Sequence, residues 1–105
     1  MKGLGNMGKL MKQAQEMQAK IAQAQEALEG MEVEGTAGGG AVTVRMNGKQ
    51  VMLSLAMKPE VVDPEDVDML EDLVLAAYEE ARKKSEALAQ EEMAKVTGGM
   101  PLPGF

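Results

Sequence analysis

The chain has 105 residues, enough for one small domain whose core is marginal unless an oligomer enlarges it. It contains no Cys and no His, which removes disulfides, thiolate nucleophiles, zinc–thiolate sites and the usual general base; the two serines, Ser54 and Ser85, have no activating partner. The net charge of −6 is uneven: residues 1–28 carry +2, residues 29–58 are neutral, and residues 59–105 carry −8, with seven of their twelve acids between Glu60 and Asp72.

The N-terminus, Met1-Lys2-Gly3-Leu4-Gly5, lacks the continuous apolar segment of a signal peptide, so a cytoplasmic location is expected. In the first amphipathic stretch, Met7, Leu10, Ala14, Met17, Ile21, Ala24 and Leu28 recur with 3-4 spacing. That spacing puts them on one narrow stripe, the pattern of a helix packed against another helix. Gln, Lys, Glu and Ala fill the other positions, and Gly30 supplies a stop. The chain has eleven Met, one Tyr, one Phe and no Trp, and Met reads first as core filler in place of Leu and Ile.

Met31 to Gly35 alternates apolar and acidic residues, as a half-buried strand does. Gly38-Gly39-Gly40 precedes a strand and no Lys-Ser or Lys-Thr follows it, so it reads as a turn and not a phosphate cradle. Ala41–Met46 and Lys49–Met57 flank Asn47-Gly48, which predicts a two-residue hairpin with both loop positions at positive φ. On that register Met46 faces Lys49, Val44 faces Val51 and Val42 faces Leu53, with Leu55 and Met57 extending an apolar face. Thr43, Arg45, Gln50, Ser54 and Lys58 form the polar face.

Pro59 ends the sheet. Asp63 is the expected cap of the second helix, Pro64 its first residue, and Glu65 and Asp66 offset its free N–H groups and the positive end of its dipole. The Glu60–Asp72 acids are therefore read as structural, and no metal ion or cofactor is expected. Val67, Leu70, Leu73, Val74, Ala77 and Tyr78 give the first half a broad apolar face, which narrows to Ala81, Leu88 and Met93. From Pro64 to Val96 the helix would run about 50 Å, while strands of five or six residues reach only about 20 Å. The excess projects beyond the sheet, where the start of the first helix and the end of the second are expected side by side.

Lys2, Lys9, Lys12, Lys20, Arg82, Lys83, Lys84 and Lys95 are assigned to that projecting end, opposite the acid cluster, although Glu16, Glu79, Glu80, Glu86, Glu91 and Glu92 dilute the patch. Residues 1–96 form the expected single domain, and residues 97–105 a flexible Gly/Pro-rich tail in which Met100, Leu102 and Phe105 are available to dock on a partner. No apolar run is long enough to span a bilayer. Neither a membrane nor a small-molecule substrate is expected as a partner, and the chain does not read as an enzyme.

Four words in this order resemble the YbaB/EbfC family of bacterial nucleoid-associated proteins. They are Gly5-Asn6-Met7 with Leu10-Met11-Lys12-Gln13-Ala14-Gln15 and Met17-Gln18; Gly39-Gly40 with Val42, Val44 and Asn47-Gly48; Met69-Leu70-Glu71-Asp72-Leu73-Val74 with Ala76-Ala77; and Gly99-Met100-Pro101-Leu102-Pro103-Gly104-Phe105. The resemblance implies an α+β protomer of α-β-β-β-α order, a three-stranded antiparallel sheet flanked by two long helices, in a tweezer-shaped homodimer that binds double-stranded DNA and helps organise the nucleoid or regulate gene expression. Helical prongs are the parts it implicates. One departure is Tyr78-Glu79-Glu80-Ala81, where the family often has Asn and Asp; this adds negative charge to the prong.

The leading reading is thus a DNA-binding homodimer whose Lys9, Lys12, Lys20, Arg82, Lys83, Lys84 and Lys95 neutralise phosphates with little sequence preference. The scarcity of aromatic residues disfavours base stacking and single strands. The rival is a prefoldin-like clamp or chaperone-type interaction module, favoured by the net acidity and Met content. Steep loss of DNA binding with salt distinguishes the first reading from salt-indifferent suppression of client aggregation.

Overall fold

The computed structural model describes residues 2–98, with side chains from Asn6 onward, so the expectations placed on Lys2 and on the tail at 99–105 fall outside the described side chains. The element order is α1 (Lys2–Glu29), β1 (Glu32–Ala37), β2 (Val42–Asn47), β3 (Met52–Met57), a 3-10 turn at Pro59–Val61, and α2 (Val67–Thr97). The strands form one antiparallel sheet in the order β1-β2-β3. This is the expected α-β-β-β-α layout.

Gly30 ends α1 as expected: its N–H donates to the Ala27 carbonyl at 3.1 Å, and Met31 N–H donates to that of Leu28 at 3.2 Å. The β1–β2 connection runs through Gly38, Gly39 and Gly40, all at positive φ, a conformation that costs other residues more. Gly35 pairs with Val44 and lies buried under α2. A Cβ at Gly35 would run into the Ala77 carbonyl and the backbone of Ala81. Glycine on the strand and two alanines on the helix are what let strand and helix backbones touch.

The second hairpin differs from the two-residue expectation. Val44 pairs with Leu55 and Val42 with Met57, four residues further along β3 than predicted, and a bulge falls between Arg45 and Met46. The cause is local bonding by Asn47, whose Oδ1 accepts from Lys49 N–H at 2.8 Å and from Val51 N–H at 3.1 Å. Its backbone carbonyl accepts from Gln50 N–H, and Asn47 N–H donates to the Val51 carbonyl. The connection therefore spans Gly48 to Val51, and Gln50, at φ 63°, is its left-handed residue. Because the slip is an even number of residues, Leu55 and Met57 stay on the face of Val42 and Val44.

Asp66, not Asp63, caps α2: its Oδ1 accepts from Met69 N–H at 3.3 Å. Asp63 instead holds a turn, accepting from Glu65 N–H through its side chain and from Asp66 N–H through its carbonyl. Both aspartates suit a cap; the turn through Pro64 delays the helix by three residues. The core cluster is Val42, Val44, Met46, Ala77 and Ala81, flanked by half-buried Val33, Ala37, Val61, Leu70, Leu73, Val74 and Tyr78. Met is not mainly core filler: Met46 and Met93 are buried, whereas Met7, Met11, Met52, Met57 and Met69 are exposed.

Helix α2 crosses β1 and β2 and leaves β3 uncovered, so every β3 side chain is exposed. At its far end α2 meets the end of α1, where Gln25 and Leu28 share a cleft of about 240 Å³ with Gly48, Lys49, Gln50, Ala89 and Met93. The molecule is 78 Å long and only 20 by 17 Å across. At 1.5 Å per residue α1 and α2 measure about 42 and 46 Å, so they overlap for only about 10 Å and α1 runs on alone. The start of α1 and the end of α2 are therefore not side by side along their length, as the sequence suggests. Contact between the helices is confined to the last residues of each.

Candidate nucleic-acid interface

The direction of α1 is set by the second hairpin. Gly48 N–H donates to the carbonyls of Leu28 (2.9 Å) and Met31 (3.1 Å), and a Cβ at Gly48 would lie 2.7 Å from Leu28 Cδ2 and 2.8 Å from its carbonyl oxygen. Ser85 of α2 binds the same loop: its Oγ donates to the Asn47 carbonyl at 2.8 Å and accepts from Gln50 N–H at 3.1 Å. Ser85 and Asn47 are buried, and no fully buried side-chain nitrogen or oxygen among the described residues lacks a hydrogen bond. One loop thus joins α1, the sheet and α2, and aims α1 away from the sheet.

Along the projecting part, residues 6–16 are all exposed, with Met7 at 60%, Leu10 at 62% and Met11 at 61%. Lys9, Lys12 and Lys20 fall within an arc of about 80° on a helix of 3.6 residues per turn, beside the apolar stripe, with Lys12 the furthest from it. Among the described residues none of these three, nor Lys83, is in an ion pair.

The other expected site residues are engaged. Arg82 bonds Glu79 (3.3 Å) and Glu86 (3.0 Å), and the Glu79 carboxylate first, then Glu86, holds its guanidinium above the ordinary pKa. Lys95 bonds Glu92 at 3.0 Å, which raises its pKa chiefly through that hydrogen bond. Lys84 bonds Glu80 at 3.1 Å and donates to the Glu34 carbonyl at 2.8 Å. Glu80 sits below the ordinary carboxylate pKa because of its hydrogen bond from Lys84, with Thr36 N–H (3.4 Å) and the Lys84 charge adding to it. The structure therefore does not gather the seven basic residues. Lys9, Lys12 and Lys20 lie along α1 and Lys95 near the end of α2, while Arg82, Lys83 and Lys84 lie level with β1.

Glu80 and Lys84 have a role that the charge map missed. They satisfy Thr36 N–H and the Glu34 carbonyl on the outer edge of β1, which blunts that edge. The visible signal was their i, i+4 spacing. The β3 edge has no such cover among the described residues. Beside it, Leu55 and Met57 with Leu70, Val74 and Leu75 line an open apolar groove of about 490 Å³. No helix among the described residues is long and apolar enough to cross a membrane, and no cluster of metal-ligating side chains occurs among them.

One helix on a three-stranded antiparallel sheet and a second projecting from it define a small α+β protein, and its fold matches the crystal structure of an uncharacterized protein from Helicobacter pylori. The TM-score is 0.76 at 20% identity, over 85% of this chain and 94% of that one. The YbaB/EbfC DNA-binding family matches residues 2–100. A nucleoid-associated protein of Alkaliphilus metalliredigens is 54% identical over 100% of this chain and 92% of its own length. One of Moorella thermoacetica is 52% identical over 98% and 99%. The chain belongs to the YbaB/EbfC DNA-binding family.

Proposed function

We propose that this protein is a nucleoid-associated protein of the bacterial cytoplasm that binds double-stranded DNA as a homodimer, mainly through phosphate contacts. The observation that carries the reading is the lysine face of α1. Lys9, Lys12 and Lys20 project on one side of a helix clear of the sheet and without ion-pair partners among the described residues. The acids near the start of α2, from Asp63 to Asp72, lie towards the opposite end of the 78 Å axis, where they repel a polyanion. Arg82, Lys84 and Lys95 already have carboxylate partners and contribute less.

The homodimer is supported by the asymmetry of the sheet edges. The β1 edge is blunted by α2, while the β3 edge presents Met52, Leu53, Leu55 and Met57 beside an apolar groove. An open apolar edge of this kind is a template for pairing with a second copy. Pairing there places one lysine-bearing α1 on each side of the assembly, the arrangement of a tweezer.

The test is a titration of random-sequence duplex at several salt concentrations, with light scattering on the same samples. Expected are a dimer at micromolar concentration and a log affinity that falls steeply with log salt. A stable monomer overturns the dimer. Salt-indifferent suppression of client aggregation without DNA binding supports the clamp instead.

A further inference from the structure

Ala77, Ala81 and Ser85 recur at i, i+4 spacing and are all fully buried, on the face of α2 that crosses the sheet. At Ala77 and Ala81 the helix lies on the backbone of Gly35. One turn further on it meets the second hairpin loop, where the Asn47 carbonyl and the Gln50 N–H face it. A third alanine would offer these two groups nothing; a hydroxyl both donates and accepts. A helical hydroxyl commonly bonds the carbonyl four residues back, as Thr97 does to Met93 at 3.1 Å. Ser85 gives its proton to the Asn47 carbonyl instead.

The same loop holds the end of α1. Gly48 donates its N–H to the Leu28 and Met31 carbonyls, and Leu28 is packed against it. The Lys49–Glu29 pair is a second tie, but an exposed one that contributes little. At this joint α1 and α2 are separated by the cleft lined by Gln25, Leu28, Ala89 and Met93, so their direct packing leaves room for the angle between them to change. The bonded path that fixes the angle runs from Ser85 through the loop to Leu28. Lys12 lies about 24 Å from Leu28 at the rise of a helix. A tilt of about 10° at the joint would move it about 4 Å, comparable to the step of about 3.4 Å between phosphates of one DNA strand.

We infer that Ser85 is a positioning residue: its hydroxyl, acting through Asn47, Gln50 and Gly48, sets the angle at which α1 leaves the sheet and so where Lys9, Lys12 and Lys20 lie. The consequence for binding rests on the proposed DNA contact along α1. The angle itself does not.

The chain has no Cys, so two engineered positions can be spin-labelled in the full chain. Labels at Gln15→Cys and Gln90→Cys, both exposed, report the angle when labelled protein is diluted with unlabelled protein so that only distances within one chain are read. Ser85→Ala should shift or broaden that distance distribution by about 4 Å and flatten the slope of log affinity against log salt on random duplex by about 0.9, one phosphate contact. Leu73→Ala loosens the core away from the loop and should lower stability without moving the distances. Unchanged distances in Ser85→Ala, or an equal change in Leu73→Ala, overturn the inference. If Ser85→Ala does not fold, Gly48→Ala takes its place, because it pushes on Leu28 from the other end of the path; unchanged distances there overturn the inference likewise. Moved distances with an unchanged salt slope would contradict the DNA face on α1 and uphold the positioning role of Ser85.

Discussion

Where α2 crosses β1, helix and strand meet backbone to backbone; residues 6–16 of α1 are all exposed. The two regions have similar hydrophobic periodicity, yet one is fixed by glycine and alanine and the other is marked by exposed Met and Leu. Periodicity shows which face of a helix is apolar. Small residues at facing positions show where the face is used.

The largest effect that separates the two regions is expected at Gly35. Gly35→Val forces α2 off the sheet, because the new side chain meets backbone that cannot turn aside. Destabilisation of about 3 kcal/mol or more should appear in denaturant unfolding. An unchanged midpoint would mean that strand and helix are further apart than described.

At Gly48 the obstacle is Leu28, part backbone and part flexible side chain, so Gly48→Ala should cost less, about 1–3 kcal/mol by the same measurement. A loss as large as that of Gly35→Val would rank the hairpin above the strand–helix contact. Ser85→Ala leaves Gln50 N–H and the Asn47 carbonyl without their α2 partner, at a cost of about 1–2 kcal/mol. A fall in stability without a change in fold is the expected calorimetric result; a neutral outcome would place water in the gap.

Smallest of all is the stability effect on the projecting helix. Lys9→Ala with Lys12→Ala should leave the melting temperature unchanged, since both are exposed and unpaired among the described residues. The same variant should weaken binding to every duplex sequence alike. Lys49→Ala, in the hairpin loop and paired with Glu29, should have less effect on binding and serves as the control. If the control loses as much, the contact surface is the sheet end.

The element order was legible in the sequence because helix and strand periods are distinct and Gly30, Gly38–Gly40 and Pro59 mark the breaks. The hairpin register was not. Asn47-Gly48 is a strong turn signal, but the Asn47 side chain spends its bonds on Lys49 and Val51 and so lengthens the loop. Asn47-Gly48 predicts positive φ at both loop positions, whereas the structure puts it at Gln50; what crowds Gly48 is Leu28, packed against it.

The positions of the basic residues were legible in part. Lys9, Lys12 and Lys20 are exposed along α1. Arg82, Lys83 and Lys84 read as distant from the sheet when the chain is taken linearly, yet α2 still lies along β1 at that point, as the Lys84–Glu34 bond shows. Which half of a long helix rests on a sheet depends on where the strand glycine admits it, and here that is Ala77 and Ala81 opposite Gly35.

The measurement that bears most directly on the DNA reading compares two triple variants on one random duplex across a salt series. Lys9→Ala, Lys12→Ala and Lys20→Ala together should flatten the slope of log affinity against log salt by about 0.9 per lost phosphate contact, about 2.7 in all. Arg82→Ala, Lys83→Ala and Lys84→Ala together should change it less, because two of the three already hold carboxylates. A larger change in the second variant, or none in the first, would contradict a DNA interface on α1.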